Sequence, residues 1–236
     1  MGGGGSKSMS AAQAVAVQPV LATSVDTSAF PGASGKWPDN TKSHKSWSNS
    51  LDIWNEYGAG WQNGGVGGQQ AKDMYHAVDD FTGPYYKSIR AAQQSGDTTS
   101  QWGKQGVLTE EFLAKGLATG NGWTGGTVYR GIGVDNQSLS AILNMNVGDP
   151  IDTQFGGSAS WSTKMSVSGH FGGGPNHVVF VNLDKSIPGV SVRGLAHYGH
   201  HEQEVLVTKD AKFTVAGIKQ GTYGGMKQTF VYVHNA

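Results

Sequence analysis

The sequence predicts an α+β fold, with helices in the first half of the chain and an antiparallel β core in the second. Apolar residues recur at helical spacing over residues 70–81, 84–94 and 109–118, which predicts three short helices. After Gly126 come short runs rich in Val, Ile, Phe and Tyr, bounded by Gly, Pro, Asn and Asp, a pattern typical of strands. Because the helices precede the strands, the order favours α+β over a doubly wound α/β sheet.

Two of the three helices carry residues that are typical of helix ends. The second has Pro84 in its first turn and Gly96 just beyond its last turn. The third is predicted to begin at Thr109, with Glu110 and Glu111 in its first turn, where acidic side chains interact favourably with the helix dipole.

The second half of the chain is predicted to hold five strands and two brief helices. The strands are expected over residues 128–132, 177–183, 204–208, 212–218 and 229–234. One helix is expected over residues 136–144, and another is expected to start at Ser162.

The length of 236 residues fits one domain with a tail. Residues 1–45 begin with a Gly/Ser-rich stretch, MGGGGSKSMS, and are predicted to be a flexible N-terminal segment. Within it, residues 11–25 are mildly apolar, which leaves a signal and a tail both open. The domain is predicted to span residues 46–236, as a helical lobe over 46–120 and a β-rich core over 121–236.

The composition excludes several classes of function. Lys+Arg and Asp+Glu each number 17, so the chain lacks the excess positive charge that duplex nucleic acid selects, and no nucleic-acid partner is expected. The absence of cysteine excludes disulfides, thiolate metal ligands and a cysteine nucleophile. No uncharged apolar run reaches the roughly 18–20 residues that span a bilayer, so no membrane span is predicted.

The densest polar cluster is HYGHHEQE, residues 197–204. Imidazoles and carboxylates are zinc ligands, but the histidine spacing matches no helical metal motif; no metal is predicted, and the alternative is a polar hairpin. Glu202 and Glu204 are predicted to share one face of an incipient strand, because side chains two residues apart point the same way. Two such carboxylates repel each other unless a cation or a reaction uses them.

Two other features place polar groups beside apolar runs. Arg130 lies within the run 128–132, where a guanidinium is either an edge residue or the holder of an anion such as phosphate. The run SASWST, residues 158–163, concentrates hydroxyl groups at the end of a strand, and Ser162 is expected to cap a helix there.

Taken in chain order, the motifs form a specific set: an aromatic-Arg-Gly strand, a Ser-x-Ser motif followed by Phe, and a Glu-x-Glu motif. Their members are Tyr129-Arg130-Gly131, Val147-Gly148-Asp149 followed by Phe155, Ser160-Trp161-Ser162 with Phe171 closing a helix, and Glu202-x-Glu204 followed by Phe213. This set resembles the Arg–Ser–Glu class of mono-ADP-ribosyltransferases, which cleave NAD and pass ADP-ribose to a protein. The resemblance covers residues 126–236. It implies an ADP-ribosyltransferase-like core of two packed antiparallel β-sheets with a small N-terminal helical layer.

The resemblance implies that five residues bind NAD: Arg130, Gly131, Ser160, Ser162 and Phe171. Arg130 would hold the NAD phosphates, and Gly131 would let the nicotinamide amide approach the backbone. Phe171 would offer an aromatic face to the nicotinamide ring. Ser162 is expected among the NAD-binding residues because it belongs to the serine motif.

The resemblance also implies catalytic and acceptor-binding residues. Ser160 would fix the catalytic glutamate and the nicotinamide ribose, and Glu204 would be that glutamate. A fixed negative charge beside the ribose stabilises the cation-like state formed when the N-glycosidic bond breaks. Glu202 favours an arginine acceptor, because a carboxylate can orient a guanidinium and help remove its proton. Tyr198 is expected to contact the acceptor.

The sequence departs from the family pattern in the serine motif, in the loop after Phe171 and before the first glutamate. Trp161 stands where Thr is usual, and either covers the site or packs. Gly174 precedes Pro175 where some relatives have an Arg that would contact phosphate. The family's acceptor-recognising aromatic corresponds to Gly199, with Tyr198 as its neighbour.

The expected function is therefore an NAD-dependent protein ADP-ribosyltransferase of the toxin or effector type, secreted or translocated into a target cell. Its partner would be a protein of a host or competitor cell, with actin and small GTPases as candidates. A phage enzyme, an NAD glycohydrolase and a non-enzymatic carbohydrate- or protein-binding β-domain are the alternatives. The last is motivated by the aromatic cluster Trp47, Trp54, Tyr57 and Trp61, which suits a stacking surface.

Overall fold

The structure is a computed structural model that describes residues 26–32, 68–171, 174–192, 195–197 and 202–236. Before the sheet, the described residues hold a short 3-10 helix (Thr27–Ala29) and a layer of three α-helices, α1 (Gly68–Thr82), α2 (Tyr86–Ser95) and α3 (Gln101–Ala118). The predicted helices over 70–81 and 84–94 correspond to α1 and α2. Helix α2 ends at Gly96, whose φ of 72° is the left-handed conformation that glycine adopts readily.

Helix α3 begins eight residues earlier than predicted. Ser100, not Thr109, is its N-cap, and the Ser100 side chain accepts a hydrogen bond from the Gly103 amide at 3.0 Å. Gly103 and Gly106 disfavour a helix by propensity. Tertiary packing outweighs this, because a Cβ on Gly106 would lie 2.9 Å from the Gln93 side chain. Thr109 is consequently buried in the middle of α3.

The described residues after α3 contain nine strands and two short helices. The strands are β1 (Gly122–Trp123), β2 (Tyr129–Val134), β3 (Pro150–Ile151), β4 (Ala159–Ser162), β5 (Asn176–Asn182), β6 (Ile187–Ser191), β7 (Glu204–Val207), β8 (Phe213–Tyr223) and β9 (Met226–Asn235). The helices are α4 (Asn136–Leu143) and α5 (Met165–Ser168). The five predicted strands are confirmed as β2, β5, β7, β8 and β9, whereas the short strands β1, β3, β4 and β6 were not predicted.

The expectation that a helix starts at Ser162 is wrong. Ser162 is the last residue of β4, and the four-residue helix α5 starts at Met165. The Ser162 hydroxyl accepts a hydrogen bond from the Lys164 amide at 3.0 Å, so it caps the turn after the strand; Lys164 holds the N-cap position of α5 and makes no side-chain capping bond.

The strands form one curled sheet in the order β1-β6-β7-β4-β2-β5-β9-β8-β3. The pairing is antiparallel throughout except between β5 and β9, which are parallel. Strands β2 and β4 pair only through Tyr129 and Ser162. The two sheets predicted from the resemblance are therefore the two halves of this sheet, joined at one residue pair, and the α+β fold is confirmed.

The described residues form three apolar clusters, two of which lie on the two faces of β7. One packs α1, α2 and α3 against the first half of the sheet, where Val190 and Leu206 are fully buried. The other lies between the halves of the sheet and joins Trp161 and Val205 of the first half to Phe180 of the second. Side chains therefore alternate between the two clusters along β7, as strand geometry requires.

Residues 26–32 pack on the second half of the sheet. The Phe30 ring lies 4.6 Å from that of Tyr232, and the Tyr232 hydroxyl donates a hydrogen bond to the Pro31 carbonyl at 3.1 Å. The aromatic residues at positions 47–61 that motivated a binding surface lie outside the described residues. Within the described ranges, no helix is both long and apolar enough to cross a membrane.

Candidate functional site

A cavity of about 400 Å³ opens where the two halves of the sheet meet helices α2 and α5. Its walls are formed by Tyr86, Lys87, Arg90, Arg130, Gly131, Ile132, Gly133, Ser160, Trp161, Ser162, Val167, Ser168, Phe171, Glu202 and Glu204. Every predicted site residue within the described ranges is among them, although these residues come from distant parts of the chain. Tyr198, the remaining predicted site residue, lies outside the described residues.

Glu204 is the buried carboxylate of the cavity. It opens β7, pairs with Ser162 of β4 in the ladder, and is only 2% exposed. Burial raises its pKa to about 8; a hydrogen bond from Ser160 opposes the rise, and the charge of Glu202 adds to it. Among the described residues, its Oε2 atom has no hydrogen-bond partner. A buried oxygen without a partner at a cavity wall is suited to accept a hydrogen bond from a bound molecule.

Glu202 lines the same cavity and is less buried than Glu204. It is only partly buried, and burial raises its pKa. The expectation that Glu202 and Glu204 share a regular strand face is wrong in one respect, because β7 begins at Glu204 and Gln203 has a left-handed φ of 46°. The Glu202 carbonyl accepts a hydrogen bond from the Ser162 hydroxyl at 2.6 Å, which holds this turn against β4.

Arg130 is the buried cation of the cavity. Its side chain extends from β2, its Nη1 atom donates to the Ser160 carbonyl at 3.1 Å, and the residue is 6% exposed. Burial, together with the neighbouring charge of Arg90, lowers its pKa to about 9, against the opposing effects of Asp152 and Tyr86. Its Nε atom has no partner within the described part of the chain. Such a guanidinium retains a free donor for an anion.

Gly131 and Phe171 shape the opposite side. A Cβ on Gly131 would lie 1.7 Å from the Ser168 carbonyl oxygen, so only glycine permits the end of α5 to pack on β2. This packing by itself requires glycine, and the expected approach of nicotinamide to Gly131 stays a prediction. Phe171 follows α5, lines the cavity and is 48% exposed, which leaves an aromatic face accessible.

Trp161 packs rather than covers the site. It is 1% exposed and stacks on Phe213, with the ring centroids 5.5 Å apart. The bulky residue at the middle of the serine motif therefore fills the core between the halves of the sheet.

Sequence reasoning missed the contribution of α2. Tyr86, Lys87 and Arg90 line the cavity from the helical lobe, and Arg90 also donates to the Gln154 carbonyl at 2.7 Å. Tyr86 and Arg90 are four residues apart and therefore lie on one face of α2. The spacing was visible in the sequence, but the direction of that face depends on how the helix docks.

The acidic and histidine side chains of the described residues are not arranged as a metal site. Within the described residues, no three of them are grouped to hold a metal ion. The His197 imidazole lies 3.4 Å from the Asp79 carboxylate. The other two histidines of the predicted cluster, His200 and His201, lie outside the described residues.

No protein-family model and no curated protein sequence matches the chain. Solved structures do, and three of them are bacterial toxin enzymes. Plx2a, an ADP-ribosyltransferase toxin from Paenibacillus larvae, has a TM-score of 0.55 and 15% identity, over 79% of this chain and 94% of that one. The Vis toxin, an ADP-ribosyltransferase from Vibrio splendidus, has a TM-score of 0.50 and 21% identity, over 84% and 89%.

The enzymatic component C2-I of the C2-toxin from Clostridium botulinum has a TM-score of 0.52 and 14% identity, over 82% of this chain and 48% of that one. The chain thus spans about half the length of C2-I. The part of the chain that the structure describes has the ADP-ribosyltransferase fold, as the resemblance of the motifs predicted.

Proposed function

We propose that the chain is an NAD-dependent mono-ADP-ribosyltransferase of the toxin or effector type, which transfers ADP-ribose from NAD to an arginine of a target protein and releases nicotinamide. The observation that carries this proposal is the convergence of Arg130, Ser160 and Glu204 on one cavity of an ADP-ribosyltransferase fold. The three residues are far apart in sequence and supply a cation, a hydroxyl and a carboxylate.

The donor set of the cavity fits NAD. Arg130 is buried with an Nε that has no partner among the described residues, and Arg90 lines the same cavity, so two guanidiniums are available for the two phosphates of a dinucleotide. Arg90 thereby offers a second phosphate contact in a chain that has Gly174 where some relatives have an arginine. The exposed face of Phe171 suits stacking on a planar nicotinamide ring.

NAD supplies the N-glycosidic bond that breaks, and the protein supplies position and charge. Glu204, in its ionised form, accepts a hydrogen bond from the ribose 2′-hydroxyl and stabilises the positive charge that develops on the ribose. Ser160 holds this carboxylate, in keeping with its effect on the pKa of Glu204. Because Glu204 has its pKa raised to about 8, binding must favour the ionised form for the reaction to proceed near neutral pH.

Glu202 is the basis for an arginine acceptor. The residue lines the cavity and is partly exposed, so a side chain of another protein can reach it. It would orient the guanidinium and take up its proton as a guanidine nitrogen bonds to the ribose carbon from which nicotinamide departs. Actin and small GTPases are the candidate targets, and delivery into a target cell is the setting in which they would be met.

The test is incubation of the purified chain with labelled NAD and a cell lysate. The wild type is compared with Glu204→Gln and with Glu111→Gln, a matched change on α3 outside the cavity. We expect labelled protein with the wild type and Glu111→Gln, and about 10²–10³-fold slower labelling with Glu204→Gln, because one electrostatic stabiliser is removed. Equal labelling by all three would refute the role of Glu204, and nicotinamide release without labelled protein would identify an NAD glycohydrolase.

A further inference from the structure

The turn that carries Glu202 contains a residue in an unfavourable conformation. Gln203 has a φ of 46°, in the left-handed region that residues with a side chain rarely adopt. A regular strand would have continued through this residue. The local sequence offers no glycine here to relieve the strain, so contacts with the rest of the protein must hold the backbone.

Those contacts come from Thr163, which directly follows β4. The Thr163 amide donates to the Gln203 carbonyl at 3.2 Å, and the Thr163 hydroxyl donates to Gln203 Oε1 at 2.9 Å. Both residues are buried, with Gln203 3% and Thr163 0% exposed. Buried hydrogen bonds of this kind are costly to leave unmade, so the pair fixes the turn.

The left-handed residue gives the two glutamates different positions. The strand ends its pairing at Glu204, which is buried opposite Ser162 in the β4–β7 ladder. Glu202 stands outside the ladder, lines the cavity and is partly exposed. The ladder therefore fixes Glu204, whereas the turn fixes Glu202.

We propose that Gln203 and Thr163 are positioning residues for the acceptor, which act through Glu202 and leave the cleavage of NAD to the residues of the ladder. This inference rests on the proposed function. It assigns to the middle residue of the Glu-x-Glu motif a specificity-determining part that does not involve contact with NAD.

The test uses Thr163→Val, which keeps the shape of the side chain and removes the hydroxyl. Two rates are measured with the purified chain: transfer of ADP-ribose to agmatine, a small guanidine compound, and hydrolysis of NAD without acceptor. We expect kcat/KM for agmatine to fall about tenfold, because small displacements of an orienting group cost one to two orders of magnitude in rate. NAD hydrolysis should change less than about twofold, and Thr163→Ser should restore transfer.

Thr109→Val is the matched control. Thr109 is also fully buried, and its hydroxyl donates to the Gln105 carbonyl at 2.8 Å within α3. The change removes a similar buried hydrogen bond away from the cavity, and both rates should stay close to the wild type. Equal losses of both rates in the two valine variants would reduce the role of Thr163 to stability and overturn the inference.

A double variant tests whether the pair acts through Glu202. In a Glu202→Gln background, Thr163→Val should cause no further loss of transfer, because residues that act as one unit are non-additive. A further tenfold loss in that background contradicts the inference.

If Thr163→Val does not fold, Gln203→Gly takes its place. Glycine adopts the left-handed conformation freely, so this change adds no backbone strain. It removes the hydrogen bond between the Gln203 side chain and the Thr163 hydroxyl. We expect a selective loss of agmatine transfer, and unchanged transfer would overturn the inference.

Failure of the inference is distinguishable from failure of the proposed function. A wild type that neither hydrolyses NAD nor modifies agmatine contradicts the proposed function and the inference with it. A wild type that hydrolyses NAD without modifying agmatine contradicts the arginine acceptor, and likewise the inference. A wild type that does both, with parallel losses of the two rates in Thr163→Val, contradicts the inference alone.

Discussion

The two walls of the cavity are built in different ways. One, the sheet wall, consists of Ser160 and Glu204. In the β4–β7 ladder, Ser160 pairs with Leu206 and Glu204 pairs with Ser162. The other, the helix wall, consists of Tyr86, Lys87 and Arg90 on α2, which contact the cavity only because that helix docks beside it. Backbone ladders fix positions closely, whereas a docked helix depends on the side chains beneath it. We infer that the sheet wall serves chemistry and the helix wall serves binding.

A partly buried hydrogen-bond network docks the helix wall onto the sheet. Gln93 of α2 donates from Nε2 to the Ser158 hydroxyl at 2.8 Å and accepts from the Ser158 amide at 3.0 Å. The Ser158 hydroxyl in turn donates to Glu110 of α3, which also accepts from the Thr208 hydroxyl at 2.8 Å. This network joins two helices to the start of β4 and the end of β7, the strands that carry Ser160 and Glu204.

The largest expected effect on the comparison comes from Arg90→Gln, which removes the guanidinium of the helix wall. We expect KM for NAD to rise about tenfold or more, because hydrogen bonds to charged groups contribute about 1.5–3 kcal/mol. The kcat of nicotinamide release should stay near the wild-type value, since the contact is equal in ground and transition states. Steady-state kinetics measure both, with Lys72→Gln on α1 as a control for loss of a surface charge. A large fall in kcat would place Arg90 in the chemistry and break the division between the walls.

A smaller effect is expected from Glu110→Gln, which disturbs the docking network. One acceptor oxygen is replaced by a donor that faces other donors, so the free energy of unfolding should fall by about 1–3 kcal/mol. Urea denaturation measures this loss, and KM for NAD should rise severalfold as α2 shifts. Glu111→Gln on the same helix is the control, because Glu111 accepts only an exposed hydrogen bond from Gln70 in the described structure. Equal stability of the two variants would show that the network does not hold the wall.

The sequence predicted the residues of the sheet wall but not those of the helix wall. Arg130, Ser160 and Glu204 stand in local motifs beside apolar runs, and the strands that carry Arg130 and Glu204 were predicted. Arg90 gave no such signal, because its role depends on the docking of a helix through Gln93. The roles of Arg130, Ser160 and Glu204 in binding and cleaving NAD stay predictions.

The turn at Gln203 was out of reach for a related reason. The alternation of side chains in a strand predicted that the two glutamates share one face. The left-handed φ of Gln203 depends instead on contacts with Thr163, 40 residues away in sequence. The start of α3 was missed because Gly103 and Gly106 oppose a helix locally, while their contacts with Asp97 and Gln93 favour it.

The smallest expected effect is on the pH dependence of kcat/KM for NAD, which Glu204 limits and the charge of Glu202 shifts. Burial raises the pKa of Glu204 to about 8, so kcat/KM for NAD should increase with pH and level off above about pH 8. Glu202→Gln should move this limb to lower pH, because the charge of Glu202 contributes to the rise. The rate of nicotinamide release across about pH 5 to 9 measures both. A profile that is flat over this range contradicts Glu204 as the group that must ionise.

The same shift has a consequence for stability. Because the pKa of Glu204 is higher in the folded protein than the ordinary value of 4.5, the folded state binds this proton more tightly than the unfolded state. The contribution of this group to stability is therefore fully present below about pH 4.5 and is lost as pH rises toward about 8. Glu204→Gln should remove this part of the pH dependence.

The central claim is that Glu204 acts on the breaking bond and is not needed to hold the dinucleotide. The most direct test measures NAD binding by calorimetry and nicotinamide release by the wild type and Glu204→Gln in parallel. The account predicts a Kd within severalfold of the wild type and release that is about 10²–10³-fold slower. Release at the wild-type rate, or absence of NAD binding by the wild type, would contradict it.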